Sequence, residues 1–433
     1  MAATVSTVQE ALKYGYGENK VLYLFNEESP TFEILSKVKK PMGGRGQFIM
    51  PLMTQNPGAF TGISEGGSLP SSLDPDTAEA TFALQEYVAV YDLTWKLIED
   101  ARTDKFAFQQ AVQMLEEGLR RRIMRNLNSD LIGTGRGELA TLTGADDGAG
   151  VITSAYMPRL EKGMVVDIIL ESTDERSTGD ASDSQTVTAV DYVNRTVKLG
   201  SGTAITLEGA TDFLVIQDTY DNSENINKHS YGLLGVVDSA DPADATTKYY
   251  GNISRATAGN EFWAAAELAN GGVNRAFTED LGLQAEDAVR EKGSGRLNAW
   301  LTNLRVTRRY HEILRNETMA TLGSVQPVKG GLGRPGGGNA PKSDGRTPYE
   351  FSGIAWHADP YFTNNVIIGL DTNHFFLGVG KSEVPRPISE IFEGQPFFRQ
   401  TTSATWEVVW YYQMQLLSNN PAAGVKIADV AEA

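Results

Sequence analysis

The chain has 433 residues, 41% of them hydrophobic and 21% charged, which suits two or three packed domains and excludes wholesale disorder. Its formal net charge of −17 argues against a dedicated nucleic-acid binder, because that affinity comes from Lys and Arg displacing counterions. There is no cysteine, which removes disulfides, thiolate metal sites and a cysteine nucleophile together.

Residues 1–42 mix apolar and charged positions without a clean period and predict an extended arm with one short helix. No run supplies the ~20 apolar residues of a membrane span, and the first residues lack the basic head and apolar run of a secretory signal. Gln47–Met53 and Ala80–Tyr91 read as strands, with Phe82, Leu84, Val88 and Val90 expected on one face of the second. Between them lies a segment rich in Gly, Ser, Pro and Asp, so the pair predicts a long two-stranded excursion with a mobile tip. Such a ribbon is marginal alone in water and needs a surface to lie on, which a neighbouring subunit would supply.

Residues 93–133 predict a long helix, with Val112, Leu115, Leu119, Ile123, Leu127 and Leu131 forming one apolar stripe. Residues 155–220 hold short β-rich runs at 164–170, 186–190, 196–199 and 213–216, which predict a small inserted barrel or sandwich. Helices are expected over Phe277–Glu291 and Asn303–Asn316, and residues 329–346 read as a flexible loop. Trp406–Leu417, dense in aromatic and branched residues, predicts a strand closed by Asn420-Pro421.

The motifs that resemble chemistry lack the context that chemistry needs. Gly62-Ile63-Ser64-Glu65-Gly66 matches G-x-S-x-G, but Gly67, Ser68, Leu69 and Pro70 deny the helix that must follow a nucleophile. Gly331–Gly336 matches G-x-G-x-x-G, but Pro335 and the glycines after it deny the helix N-terminus that would hold a pyrophosphate. His311-Glu312 begins a zinc motif, yet Arg315 stands where the second histidine belongs. His229, His311, His357 and His374 show no ligand spacing, and the pairs His357/Asp359 and Asp371/His374 read as structural. The sequons at Asn194, Asn252 and Asn316 carry little meaning without a secretory signal. Arg120-Arg121-Arg122 point in different directions on a helix, so a solvated or intersubunit salt-bridged face is expected rather than a nucleic-acid surface. No catalytic, cofactor or metal residue is assigned.

The order of parts resembles the HK97-like major capsid proteins of tailed bacteriophages. Ser64–Gly67 followed by Ala80–Asp92 and Leu93–Asp100 looks like that family's E-loop running into its spine helix. Tyr231-Gly232-Leu233-Leu234-Gly235-Val236-Val237-Asp238 looks like the entry to its A-domain, and Gln395–Gln400 and Asn419–Val425 look like its closing pieces. The resemblance implies an α+β HK97-like capsid fold. Its parts would be an N-arm (1–42), an E-loop (43–92), a P-domain spine helix and following segment (93–154), an inserted β-barrel-like domain (155–222), an A-domain (223–348) and a return through both domains (349–433).

It also implies a non-enzymatic shell protein that self-assembles as hexamers and pentamers around double-stranded DNA. Its place would be the virion capsid, and the host cytoplasm during assembly. Partners would be a separate scaffold protein, since no long helical segment precedes the arm, and a portal, with a decoration protein left open. DNA would be enclosed without sequence-specific binding or a membrane, behind an acidic wall that repels it. The expected intersubunit contacts are Phe48, Met50, Phe60, Leu69 and Phe82 in the E-loop and Arg120, Arg121 and Arg122 on the spine. One branch of the family crosslinks its shell through an E-loop lysine, but no lysine lies between Lys40 and Lys96, so non-covalent contacts are expected. The rival readings are an encapsulin-like cargo shell, a hydrolase with a β accessory domain, and a tail or adhesin protein.

Overall fold

The computed structural model describes residues 30–39, 47–94, 105–142, 151–153, 159–200, 212–221, 226–242, 249–321, 349–380, 385–387, 398–399 and 405–432, leaving out within them positions 56, 57, 59, 64, 66, 69, 70, 72, 73, 172, 174, 178–183, 193, 294 and 364. In chain order the elements begin with α1 (Pro30–Ile34), β1 (Ser36–Lys39), β2 (Gln47–Gln55), β3 (Asp76–Ala83), β4 (Gln85–Thr94) and α2 (Lys105–Ile132). Then come β5 (Ala140–Thr141), β6 (Val151–Thr153), β7 (Val165–Leu170), β8 (Glu175–Arg176), β9 (Gln185–Asp191), β10 (Thr196–Leu199), β11 (Phe213–Ile216), β12 (Tyr220–Asp221) and β13 (Ile226–Asn227). The chain continues through α3 (Leu233–Val236), β14 (Ala266–Leu268), α4 (Glu279–Gly293), β15 (Ala299–Thr302) and α5 (Leu304–Thr321). It ends in β16 (Tyr349–Phe351), β17 (Ile354–Ala358), β18 (Ile367–Leu370), β19 (Phe375–Val379), β20 (Arg386–Pro387), β21 (Phe398–Arg399), β22 (Thr405–Ser418) and β23 (Gly424–Ile427).

β22 organises the first sheet. It pairs antiparallel with β4, β19, β20 and β21, and β1 extends the sheet parallel to β19. Val408, Trp410, Tyr412, Met414 and Leu416 alternate inward along it, as a half-buried strand requires. Against this face lies α2, whose Leu119, Ile123, Leu127 and Leu131 are buried at four-residue steps. A second mixed sheet, in the order β14-β23-β18-β15-β17-β16, has a separate core shared with α4 and α5. There Tyr310 stacks on Trp356 at 4.7 Å, and Phe277, Phe351 and Trp300 meet them edge to face or tilted.

Between α2 and α3 sits a seven-stranded unit, β5-β11-β7-β9-β10-β6 with β8 on β7, which has its own core of Val166, Ile168, Val187, Val197 and Leu214. Its sheet takes in β5 and β6, ahead of the expected boundary at 155. Strands of two or three residues carry no periodic signal, and only their pairing with β11 and β10 reveals them. The unit is tied to the rest of the chain by arginines. Arg122 and Arg125 on α2 pair with Glu161, Arg159 donates to the Tyr361 carbonyl at 3.0 and 3.3 Å, and Arg195 reaches Glu432 at 3.0 Å.

β2 and β3 form an isolated two-stranded ribbon, registered from Gln47 opposite Ala83 to Gln55 opposite Asp76. The expected single strand 80–91 is two. At Leu84 the chain leaves β2 and joins β22, and the inward set passes from Ala80 and Phe82 to Tyr87, Ala89 and Tyr91. A one-residue change of phase reverses faces, so Val88 and Val90, expected to share a face with Phe82, are exposed. The expected helix 93–133 likewise gives way to β4 up to Thr94, with α2 described from Lys105. Ribbon, long helix, β unit, second sheet and returning aromatic strand follow in the order that the HK97-like resemblance implies, and the fold is α+β.

Candidate assembly surface

The ribbon has a held base and an open end. At the base Phe48 and Phe82 face each other across the register and are buried, with Met50 half-buried beside them. On the β3 side the base rests on a distant segment of the same chain. The Phe82 ring lies 5.0 Å from that of Tyr250, Tyr250 stacks on Trp263, and Asn252 hydrogen-bonds Thr81. Phe48 and Phe82, expected at an intersubunit contact, are thus buried in the subunit's own core. Towards the open end burial disappears: every described residue from Gly58 to Thr77 is exposed. Ile49, Met53, Phe60 and Ile63 are large apolar side chains in water, with Phe60 fully exposed. Leu69 lies outside the described residues.

The three consecutive arginines on α2 take three different roles. Arg120 is buried, its guanidinium 5.8 Å from the Trp410 ring. Arg122 lies 3.5 Å from Glu161 of the β unit. Arg121 is exposed and faces solvent. One turn before Arg120, Glu116 is buried too, and Tyr91 donates a hydrogen bond to it at 3.2 Å. Burial pushes the Glu116 carboxyl up to about 8, against the opposing pull of Arg120.

That shift has a definite sign. A carboxyl raised in the folded chain holds its proton after the unfolded chain has lost it. Its contribution is therefore full below the unfolded value of about 4.3 and is lost as pH rises towards 8, on the order of a few kcal/mol. Glu116→Gln is expected to flatten the fall in melting temperature between pH 5 and pH 9. Parallel pH profiles for the variant and the parent would show that Glu116 does not titrate there.

The residues singled out for chemistry are not brought together. Among the described residues no three His, Asp or Glu side chains form a metal-holding group, and no helix is long and apolar enough to cross a membrane. Ser64 and the glycine motif at 331–336 lie outside the described residues. His374 hydrogen-bonds Asn419 at 2.8 Å, and burial lowers the pKa of His357. The pair that spacing did not show is His229 with Asp130, Nδ1 lying 3.0 Å from both carboxylate oxygens where the end of α2 meets the segment before α3. Asp359, which sequence proximity pairs with His357, instead receives hydrogen bonds from Thr31, Asn128 and the Tyr361 amide.

No protein-family model matches the chain, and no curated protein does. Several solved structures are similar to it over nearly its full length at low identity. The capsid asymmetric unit of cyanophage A-1(L) is 12% identical, covers 93% of this chain and 93% of its own, and has a TM-score of 0.49. The capsid of an empty GTA particle is 10% identical over 92% of this chain and 89% of its own, with a TM-score of 0.41. A structure from Mycobacterium phage Bobi is 10% identical over 93% and 90%, with a TM-score of 0.42.

Proposed function

We propose that this chain is a non-enzymatic major capsid protein that assembles with copies of itself into a closed shell around phage DNA. The observation that carries the reading is the ribbon: two strands paired only to each other, supported at one end by their own subunit and bare at the other. A free ribbon is marginal in water, and its unpaired edges and exposed Ile49, Met53, Phe60 and Ile63 are satisfied by lying on a second copy. Each contact is modest, and closed symmetry multiplies it. Met50, Phe60 and Leu69 stay in the proposed contact set, with Arg121 on the spine.

In this reading hexamers and pentamers build the shell, a separate scaffold protein and a portal direct assembly in the host cytoplasm, and the product is the virion. The −17 charge suits a wall that packs DNA without adhering to it. Negative-stain microscopy of the purified protein tests the proposal: closed shells of uniform diameter are expected, and a monomer at all concentrations and salts would overturn it. Packaged DNA rather than enzyme cargo separates a virion from an encapsulin-like compartment. The shell is also expected to be non-covalent, since no lysine lies between Lys40 and Lys96. Denaturing gels of particles should show a single monomer band, and a ladder of multiples would sink that expectation.

A further inference from the structure

Four parts of the chain meet around Asp359, and two of them, α1 and α2, hydrogen-bond its carboxylate. Asp359 lies at the end of β17 and is wholly buried. Its Oδ2 accepts a 2.6 Å hydrogen bond from Thr31 of α1. Asn128 of α2 donates to both carboxylate oxygens at 3.2 Å, and the Tyr361 amide donates to Oδ1 at 2.8 Å. The Asp359 amide in turn donates to the Thr302 carbonyl at the end of β15. Two residues on, the Tyr361 carbonyl takes Arg159 from the neck of the β unit. The arm, the spine, the A-domain sheet and the β unit therefore share one corner, and Thr31 provides its shortest hydrogen bond.

We propose that this corner is a latch, in which seating of the arm helix through Thr31 fixes the spine helix against the A-domain. All the hydrogen bonds made to the Asp359 carboxylate come from donors, the arrangement an ionised carboxylate needs. Burial opposes that ionised form and raises the Asp359 pKa, with the Thr31 and Asn128 hydrogen bonds pulling it back. If α1 leaves, the carboxylate loses its closest donor, and Asn128 and the Tyr361 amide are left as its donors. Arm seating and the spine–A-domain joint are then coupled, and the coupling runs both ways. Thr31, Phe32 and Leu35 are all buried, so the seat is a packed one rather than a surface contact. The consequence for assembly, that a displaced arm frees the subunit to change its angle, rests on the capsid reading. The coupling itself does not.

Hydrogen exchange on the soluble full-length subunit tests the latch, comparing Thr31→Val, which keeps the shape and removes the hydroxyl, with Thr31→Ser, which keeps the hydroxyl. Thr31→Val is expected to speed exchange about tenfold, the factor that corresponds to one hydrogen bond to a buried charge. The change should appear together at 126–132 and at 359–362, and leave β14 and β23 unchanged. Thr31→Ser should stay close to the parent at both. Three results would overturn the proposal: faster exchange confined to 30–39, a uniform rise across the chain, or Thr31→Ser matching Thr31→Val. Because the readout needs no particles, failure of the latch and failure of the capsid reading are told apart.

Discussion

Removing residues 57–75 and joining the ribbon by a short turn is expected to abolish particles and leave a soluble, folded subunit. The described residues in that stretch are all exposed, so the deletion takes nothing from the core. The register closes at Gln55 opposite Asp76, where an Asn-Gly turn can cap two antiparallel strands. Phe82 remains on Tyr250, and Phe48, Met50 and Ala80 stay packed in the same core, so the base of the ribbon keeps its hold. What disappears is Phe60, Ile63 and the bare end of the ribbon, the surface proposed to lie on a neighbour. Circular dichroism and thermal melting should match the parent within about 0.5 kcal/mol, the usual range for changes away from buried features. Sedimentation and negative stain should show the loss of shells. Normal particles from the deleted chain would refute the role assigned to the tip, and an unfolded chain would show that the tip supports its own subunit.

What could be read from the sequence was what repeats. The Leu119–Leu131 stripe on α2 and the aromatic alternation in β22 each carry a local period; β22 formed within a residue of both expected limits, and α2 matched the expected helix at its C-terminal end only. What escaped depended on partners far away in the chain. Phe48 and Phe82 read as contact residues because the ribbon looked unsupported, and the support comes from Tyr250 and Trp263, over 150 residues further on. The phase change at Leu84 follows from a change of partner strand, from β2 to β22, which no local pattern announces. Three consecutive arginines sit about 100° apart around a helix. One meets Trp410, one meets Glu161 and one meets water. The polar joints are the extreme case. Asp130 and His229 are 99 positions apart, and Thr31 and Asp359 are 328 apart, so no spacing rule reaches them.

The largest expected loss of subunit stability comes from the smallest substitution, Gly235→Ala. The stretch Gly232-Leu233-Leu234-Gly235-Val236 carries α3, which lies backbone to backbone against the end of α2. A Cβ at Gly235 would stand 2.1 Å from the Thr134 carbonyl oxygen, and one at Gly232 would stand 2.3 Å from that of Asp130 and 2.4 Å from that of Gly133. These are backbone atoms at a helix end and cannot swing aside as a side chain would. The conformation is not the obstacle, since Gly235 lies within the helical α3 and Gly232 has an extended backbone at φ −105°. Nor can α3 retreat easily. The buried Arg255 guanidinium donates to the carbonyls of Gly235, Val236, Asp238, Ala240 and Trp263, fixing the segment from the other side. Overpacking of this kind costs about 3 kcal/mol or more, against a total stability of about 5–15 kcal/mol for a folded domain. Gly118→Ala, on α2 with nothing within 4 Å of its Cβ, should instead stabilise by about 0.8 kcal/mol through helix propensity. Denaturant midpoints of the soluble subunit measure both. If Gly235→Ala unfolds within about 0.5 kcal/mol of the parent, a range typical of neutral surface changes, then α3 is not seated against α2 as described, and the same result would remove the reason for the two glycines Gly232 and Gly235.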